Sequence, residues 1–225
     1  MVVKSAIQKR PLARHHAPNN DGAPKPAAAD SPDRYPNRFK RIIDLLVCVP
    51  ALLLSLPLWA IIALAIRLGS PGGVLFRQER VGRNGRLFVL WKFRTMQANT
   101  PTLPTDQMSA QLGQSRVTRV GRLLRRTSLD ELPQLVNVIR GEMSLVGPRP
   151  ALPMQTDLNA RRQAAGVHRL LPGITGWAQI NGRDDLDDAA KVACDQWYCE
   201  HRSLRLDLVI LVRTLLPVAT GRGNR

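Results

Sequence analysis

The longest apolar segment of the chain runs from Ile42 to Ile66, and only Asp44 and Ser55 interrupt it. About 20 helical residues cross the hydrocarbon core of a bilayer, so this segment has the length of a membrane helix. It follows a polar tail, and no small-residue cleavage site comes after it, which distinguishes it from a removable signal sequence. We therefore predict a retained membrane anchor over residues 39–68.

The flanks of this segment bear on its topology. Cationic side chains lie on both sides of it: Arg38, Lys40 and Arg41 before it, Arg67, Arg77 and Arg80 after it. The positive-inside rule draws both ends to the cytoplasm, whereas a kinked helix that spans the bilayer, the alternative, satisfies the rule at one end only. A proline inside a helix removes a hydrogen bond and bends the axis. We predict a re-entrant helix–break–helix with the break at Ser55 and Pro57.

A β-hairpin is predicted over residues 74–94. The dipeptide Asn84-Gly85 separates two runs of alternating residues and is the preferred sequence of a type I′ turn. The second run ends in Lys92-Phe93-Arg94, so period-two alternation predicts two cations on one face of the hairpin. Residues 97–115 are polar and contain two prolines, which predicts a loop.

The next segments are predicted to be helical. Residues 117–126 suggest a basic helix, and a stripe with helical spacing predicts an amphipathic helix that ends at Gly141: Leu132, Leu135, Val136 and Ile139. Proline is tolerated only in the first turn of a helix, so Pro133 requires this helix to begin near Ser128–Asp130. Asp130 and Glu131 would then lie at its N-terminus, where the helix dipole favours negative charge.

The C-terminal third predicts a strand over residues 177–181 and helices over 189–201 and 204–216. Together these elements indicate an α/β domain, mostly helical and with a small antiparallel hairpin, over residues 69–225. Residues 1–38 are basic and rich in proline, and they contain almost no large apolar side chains. Such a segment buries too little surface to offset its ordering entropy, so we expect a disordered tail.

Composition narrows the class of partner. Lys and Arg number 33 against 17 Asp and Glu, which gives a formal net charge of +16. A polyanion is therefore expected: nucleic acid, anionic lipid or a phosphorylated substrate. Cys48, Cys194 and Cys199 are odd in number and lack CxxC spacing, which argues against a disulfide framework or structural zinc.

The candidate catalytic residues are an adjacent acidic pair, Asp130-Glu131. The sequence contains no P-loop, GxGxxG or HExxH motif, and no histidine motif that would supply a base. Four cations complete a set typical of phosphoryl transfer: Lys92, Arg94, Arg125 and Arg149. The alternatives are structural: Asp130 as a helix cap, Ser128 with Glu131 as a capping box, and the cations as a solvated or lipid-facing surface.

Four long motifs, in this order, resemble the bacterial sugar transferase family, the monotopic phosphoglycosyl transferases that begin polysaccharide assembly on polyprenyl phosphate. They are KRIIDLL, SPGGVLFRQERVGRNGRLFVLWKFRTM, TSLDELPQLVNVIRGEMSLVGPRP and LPGITGWAQINGR. The resemblance covers about residues 39–215. It implies transfer of a sugar 1-phosphate from a UDP-sugar to undecaprenyl phosphate, with release of UMP, at the cytoplasmic face of the bacterial inner membrane.

The resemblance also implies roles for individual residues. Asp130 corresponds to the nucleophile that carries the sugar phosphate, and Glu131 to a Mg²⁺ ligand. Lys92, Arg94 and Arg149 correspond to groups at the substrate phosphates, while Ser55 and Pro57 correspond to the break of the re-entrant helix. Two other classes of protein are the alternatives. One is a membrane-tethered nucleic-acid-binding protein, but this sequence has no pattern of aromatic residues for base stacking; the other is a non-catalytic scaffold. No sequence feature identifies the sugar.

Overall fold

The computed structural model describes residues 37–98, 100, 116–182 and 185–220, with side chains described as far as residue 215. Most of the predicted tail and most of the predicted 97–115 loop lie outside the described residues. The elements follow in chain order: helix α1 (Asn37–Gly69), strands β1 (Leu75–Val81) and β2 (Leu87–Phe93), helices α2 (Arg119–Thr127) and α3 (Gln134–Arg140), strand β3 (Ser144–Val146), helix α4 (Thr156–Ala164), strand β4 (Gly173–Thr175), and helices α5 (Trp177–Ile180), α6 (Asp188–His201) and α7 (Leu204–Thr220). The described chain is mostly helical with two small sheets.

Helix α1 is long and apolar enough to cross a membrane, and only 11% of its most apolar window is buried. One face packs on the rest of the chain through Asp44, Cys48, Ile62 and Ile66. The opposite face leaves large apolar side chains exposed, among them Leu46, Leu53, Leu54, Ile61, Leu64 and Leu68. An apolar face of this extent marks a surface for membrane or protein contact.

Helix α1 continues through the predicted break at Ser55 and Pro57, with Pro50 and Pro57 inside it. The re-entrant form therefore stays a prediction. A proline inside a helix bends its axis, and α1 packs on the rest of the chain on both sides of Pro57. Cys48 lies in one apolar cluster, and Ile62 lies in a second one. The Ser55 hydroxyl group donates to the Leu52 carbonyl oxygen at 2.9 Å, so it is bonded within the helix.

The predicted hairpin is confirmed. Strands β1 and β2 are antiparallel, with Leu75 opposite Phe93 and Val81 opposite Leu87. Asn84 and Gly85 both have positive φ, 57° and 75°, as a type I′ turn requires. The register also places Arg80 and Lys92 on the same face of the hairpin, because both are an even number of positions from the Gln78–Leu90 pair.

Asn137 attaches helix α3 to the free edge of β2. Its side-chain amide donates to the Val89 carbonyl oxygen at 2.7 Å and accepts from the Trp91 amide at 3.1 Å. These two bonds replace the partners that a third strand would offer. They hold the turn before α3 against the end of β2, where Lys92 lies.

Strands β3 and β4 form a separate parallel pair. The backbones cross closely after β3, since a Cβ atom on Gly173 would lie 2.1 Å from the Gly147 nitrogen. Only glycine permits this approach. It brings the β4 backbone alongside the segment Pro148–Arg149–Pro150, which leads away from β3.

Two local predictions are wrong. Residues 177–180 form helix α5 and not a strand, because Trp177 and Ile180, three positions apart, both pack on the same apolar cluster. Helix α3 begins at Gln134, several residues after the predicted start, and Leu129–Glu131 form a 3₁₀ turn before it. The Gly141 C-cap and helices α6 and α7 agree with prediction.

Candidate active site

The Asp130-Glu131 pair lies in the 3₁₀ turn between α2 and α3. Ser128, with φ of 56°, ends α2 in the left-handed conformation and turns the chain into this segment. Neither acid caps a helix: Pro133 occupies the N-cap position of α3, and it has no side-chain capping bond. The capping alternatives are therefore wrong, and both carboxyl groups are left for other partners.

Glu131 is held by two cations. Lys92 Nζ donates to Glu131 Oε1 at 2.6 Å, and Arg149 Nη2 donates to the same oxygen at 3.2 Å. The Lys92 and Glu131 side chains are 17% and 14% exposed, whereas Arg149 is 38% exposed. Lys92 and Glu131 thus form a largely buried ion pair. The more exposed Arg149 guanidinium lies on the solvent side of this pair.

The pKa values of the two neighbouring acids are shifted in opposite directions. Burial raises the pKa of Glu131, but the charges and hydrogen bonds of Lys92 and Arg149 outweigh burial and hold it well below its usual range. Burial likewise raises the pKa of Asp130, and here the charges of Lys92, Arg125 and Arg149 do not outweigh it. Glu131 adds to that rise. The nearby cations thus lower the pKa of Asp130 as the sequence predicts, and burial, which the sequence does not show, outweighs them.

The remaining predicted cations have different surroundings. Arg125 Nε donates to the Thr95 hydroxyl oxygen at 3.0 Å, and its charge acts on Asp130, so it borders the site. The Arg94 guanidinium donates to the turn after α1: to the Pro71 carbonyl oxygen at 2.6 Å and to both oxygens of Ser70. It fixes the turn after α1, and a role at substrate phosphates stays a prediction.

Arg80 is a site residue that the sequence analysis missed. Burial and the charge of Arg149 together lower the pKa of the Arg80 guanidinium to about 10, against the charge of Glu131, which raises it. Alternation along the hairpin could have found it, because Arg80 shares a face with Lys92. With Arg80 included, four cations surround two carboxyl groups, and the site favours an additional anion such as a phosphate.

The acids also fit a magnesium ion. Mg²⁺ takes oxygen ligands and is commonly bound by one or two carboxylates together with substrate phosphates and water. Glu131 stays ionised at neutral pH and Asp130 is adjacent to it, so the pair offers suitable donors. Within the described residues no group of three or more His, Cys, Asp or Glu side chains could hold a metal.

The profile of the bacterial sugar transferase family matches residues 35–221. A Komagataeibacter xylinus protein named undecaprenyl-phosphate glucose phosphotransferase is 46% identical over 188 residues, which are 78% of this chain and 35% of that protein. An Aeromonas hydrophila protein named UDP-N-acetylgalactosamine-undecaprenyl-phosphate N-acetylgalactosaminephosphotransferase is 41% identical over 195 residues, 83% of this chain and 45% of the relative.

A third relative matches along its whole length. The exopolysaccharide production protein ExoY of Sinorhizobium fredii is 37% identical over 236 aligned positions, which cover 99% of this chain and 100% of the relative. The chain thus spans less than half of the two larger relatives and all of this one. It belongs to the bacterial sugar transferase family, as the sequence motifs indicated.

Proposed function

We propose that this protein transfers a sugar 1-phosphate from a UDP-sugar to undecaprenyl phosphate and releases UMP, as the first membrane step of exopolysaccharide assembly. The observation that carries the proposal is the Lys92–Glu131–Arg149 cluster beside the buried Asp130 carboxyl group. Family membership and the names of the relatives supply the substrate classes. Those names specify different sugars, so the proposal does not specify which UDP-sugar is the donor.

The chemistry proceeds in two displacements. A carboxylate oxygen of Asp130 attacks the sugar-bearing phosphorus of the UDP-sugar, the P–O bond to UMP breaks, and UMP leaves with the electron pair. A phosphate oxygen of undecaprenyl phosphate then attacks the same phosphorus, and Asp130 departs as the free carboxylate. Lys92 and Arg149 neutralise charge on the phosphate oxygens during both steps. Mg²⁺, held by Glu131, would supply further neutralisation of the diphosphate.

The surroundings of Asp130 suit this role. A buried carboxylate loses the water that would shield it as a nucleophile. The raised pKa of Asp130 arises from burial and from the charge of Glu131. Glu131 is held as an anion by Lys92 and Arg149, so it has the character of a metal ligand. The two neighbouring acids thus have environments that separate their roles.

UMP release tests the proposed function directly. Purified full-length protein in detergent, with Mg²⁺ and undecaprenyl phosphate, is offered UDP-glucose, UDP-galactose and the two UDP-N-acetylhexosamines in turn. We expect UMP with at least one donor, together with a lipid-linked sugar diphosphate. UDP release would indicate ordinary glycosyl transfer, and no nucleotide release with any donor would support a scaffold.

The pH dependence follows from the direction of the Asp130 pKa shift. Asp130 must be ionised to attack, so the acidic limb of kcat/KM should lie above the usual aspartate pKa of about 3.9. Lys92 is the charge that most lowers the pKa of Asp130, and Lys92→Met should therefore move this limb to higher pH. Lys191→Met, which removes a surface partner of Asp188, is the matched control and should leave the limb in place. A limb that does not move in Lys92→Met would assign the titration to another group.

We further propose that α1 attaches the protein to the cytoplasmic face of the inner membrane as a re-entrant element. Both ends of α1 contact the same folded body. Near the N-terminal end, the Arg41 guanidinium donates to the carbonyl oxygens of Val138 and Ile139. Near the C-terminal end, Ile66 packs with Leu124 in an apolar cluster. A straight span would carry the two ends to opposite sides of the bilayer and away from one body.

Cysteine labelling in intact cells tests this topology. In a background without the three native cysteines, Asn37→Cys and Gly73→Cys place single thiols before and after α1. We expect both thiols to be protected from a membrane-impermeant reagent until the cells are opened, because both ends face the cytoplasm. Pro57→Leu should restore a backbone donor, straighten the helix and expose one end in part of the population. Labelling of either thiol without Pro57→Leu would contradict the re-entrant form.

A further inference from the structure

The segment that carries Arg149 is held almost entirely through its carbonyl oxygens. Pro148 and Pro150 have no N–H groups to donate. The Pro148 oxygen accepts from Gly173 N at 2.9 Å, the Pro150 oxygen accepts from Arg80 Nη1 at 3.0 Å, and the Ala151 oxygen accepts from Val81 N at 3.0 Å. Donors from β4 and from the hairpin thus fix the segment on either side of Arg149.

The carbonyl oxygen of Arg149 itself is held by a buried side chain. Arg162, on α4, donates from Nη1 to this oxygen at 2.8 Å and from Nη2 to Asp195 Oδ2 at 2.6 Å. The side chains of Arg162 and Asp195 are 6% and 1% exposed. One guanidinium therefore connects α6, which carries Asp195, to the backbone of the residue whose side chain reaches Glu131.

Stability alone is a poor explanation for this arrangement. Removing two charges from water is costly, and apolar residues of the same volume often serve a core equally well. The Arg162 Nε atom is moreover buried without a hydrogen-bond partner within the described structure. The presence of Arg162 in the core, despite its unpaired Nε atom, is better explained by its hydrogen bond to the Arg149 carbonyl oxygen. Apolar residues cannot make this bond.

We propose that the buried Arg162–Asp195 pair is a positioning device that holds Arg149 in place to meet Glu131 and the substrate phosphates. Asp195 orients the guanidinium, and the guanidinium fixes the Arg149 backbone. A small pocket lined by Gly82, Pro148, Arg149 and Arg162 lies beside the segment. This inference rests on the proposed function of the site.

Arg162→Lys tests the device. A lysine ammonium can still pair with Asp195, but it lacks the second, forked donor that reaches the Arg149 carbonyl oxygen. We expect kcat/KM for UMP release to fall about 10- to 100-fold, because displacement of a phosphate-binding group by about 1 Å has effects of this size. Thr214→Val, which removes a hydroxyl pair with Thr175, is the control and should lower the melting temperature without changing kcat/KM.

A double-mutant cycle separates positioning from general stability. An Arg149→Ala background has no guanidinium at this position for Arg162 to hold in place. Arg162→Lys should therefore change kcat/KM in that background by less than about twofold. Equal losses in the presence and absence of the Arg149 side chain would overturn the proposal. So would wild-type kcat/KM in Arg162→Lys, whatever the melting temperature.

Asp195→Asn provides a second variant if Arg162→Lys does not fold. The amide keeps the volume and one oxygen acceptor, so we expect a smaller loss of about 3- to 10-fold that also disappears in the Arg149→Ala background. A loss that persists in that background would overturn the proposal. Failure of the proposed function is distinguishable, because wild-type protein would then release no UMP.

Discussion

Asp130→Asn should abolish UMP release, by at least about 10³-fold, while the protein remains as thermally stable as the wild type or becomes more stable. The activity falls because an amide cannot form the acyl phosphate. The stability follows from linkage. The pKa of Asp130 is raised in the fold, so the ionised group disfavours folding at pH above its folded pKa, and this cost is absent below the unfolded pKa of about 3.9.

The neighbouring acid should behave in the opposite way. The pKa of Glu131 is lowered in the fold, so its ionised form stabilises the protein above the unfolded pKa of about 4.3, and that stability is lost as pH falls through the folded pKa. Glu131→Gln also leaves the largely buried Lys92 without its partner. We expect a melting temperature lower by about 5 °C or more and weaker Mg²⁺-dependent turnover.

Asp188→Asn is the matched control for both variants. Asp188 pairs with Lys191 on the surface of α6, at 44% exposure, and it lies outside the acidic pair. Its activity and melting temperature should equal those of the wild type. Substantial turnover by Asp130→Asn would remove Asp130 from the nucleophile role. A strong loss of stability in that variant would contradict the burial-driven pKa shift.

Arg149→Lys should lose about 100-fold in kcat/KM with a change in melting temperature of no more than about 2 °C. A planar guanidinium binds a diphosphate in a bidentate manner, whereas an ammonium offers a single point charge. The stability effect is small because Arg149 is 38% exposed and makes a long, 3.2 Å bond to Glu131. Exposed ion pairs of this kind contribute little to folding.

Arg77→Lys is the control for this substitution. Arg77 lies over the Trp91 ring at 4.7 Å on the other face of the hairpin, so it tests the loss of a guanidinium that does not contact Glu131. Activity within about twofold of the wild type is expected. A large fall in melting temperature for Arg149→Lys would instead make Arg149 a structural residue, and full activity would exclude it from phosphate binding.

The parts of the fold that depend on local sequence were predicted well. The Asn84-Gly85 turn needs two residues with positive φ, and few dipeptides permit that, so the hairpin and the position of Lys92 followed from sequence. The Gly141 C-cap is local in the same sense. The meeting of Lys92 and Glu131 was anticipated through the family resemblance and through the phosphoryl-transfer set of acids and cations.

The errors arise where tertiary contacts override local preference. The start of α3 was predicted from the rule for proline, but Pro133 occupies the N-cap, and the acids lie in a 3₁₀ turn that faces Lys92. The partners of Arg94 in the turn at Ser70 and Pro71 are likewise tertiary and could not be predicted from sequence, and its role at substrate phosphates stays a prediction.

Burial was the quantity that sequence could not supply. The cations around Asp130 can be counted in the chain, but the desolvation that raises its pKa depends on the packed structure. The Arg162–Asp195 pair is 33 residues apart in sequence, and no motif connects its members. Its link to Arg149 is visible only once α4 and α6 are packed together.

Covalent transfer through Asp130 is the central claim, and one measurement tests it most directly. Wild-type protein is mixed with the active UDP-sugar and Mg²⁺ in the absence of undecaprenyl phosphate, and UMP and intact protein mass are followed together. We predict about one equivalent of UMP per active enzyme and a sugar-phosphate adduct that maps to Asp130. A protein that turns over fully with the acceptor, yet gives neither acceptor-independent UMP nor an adduct on Asp130, would contradict this account.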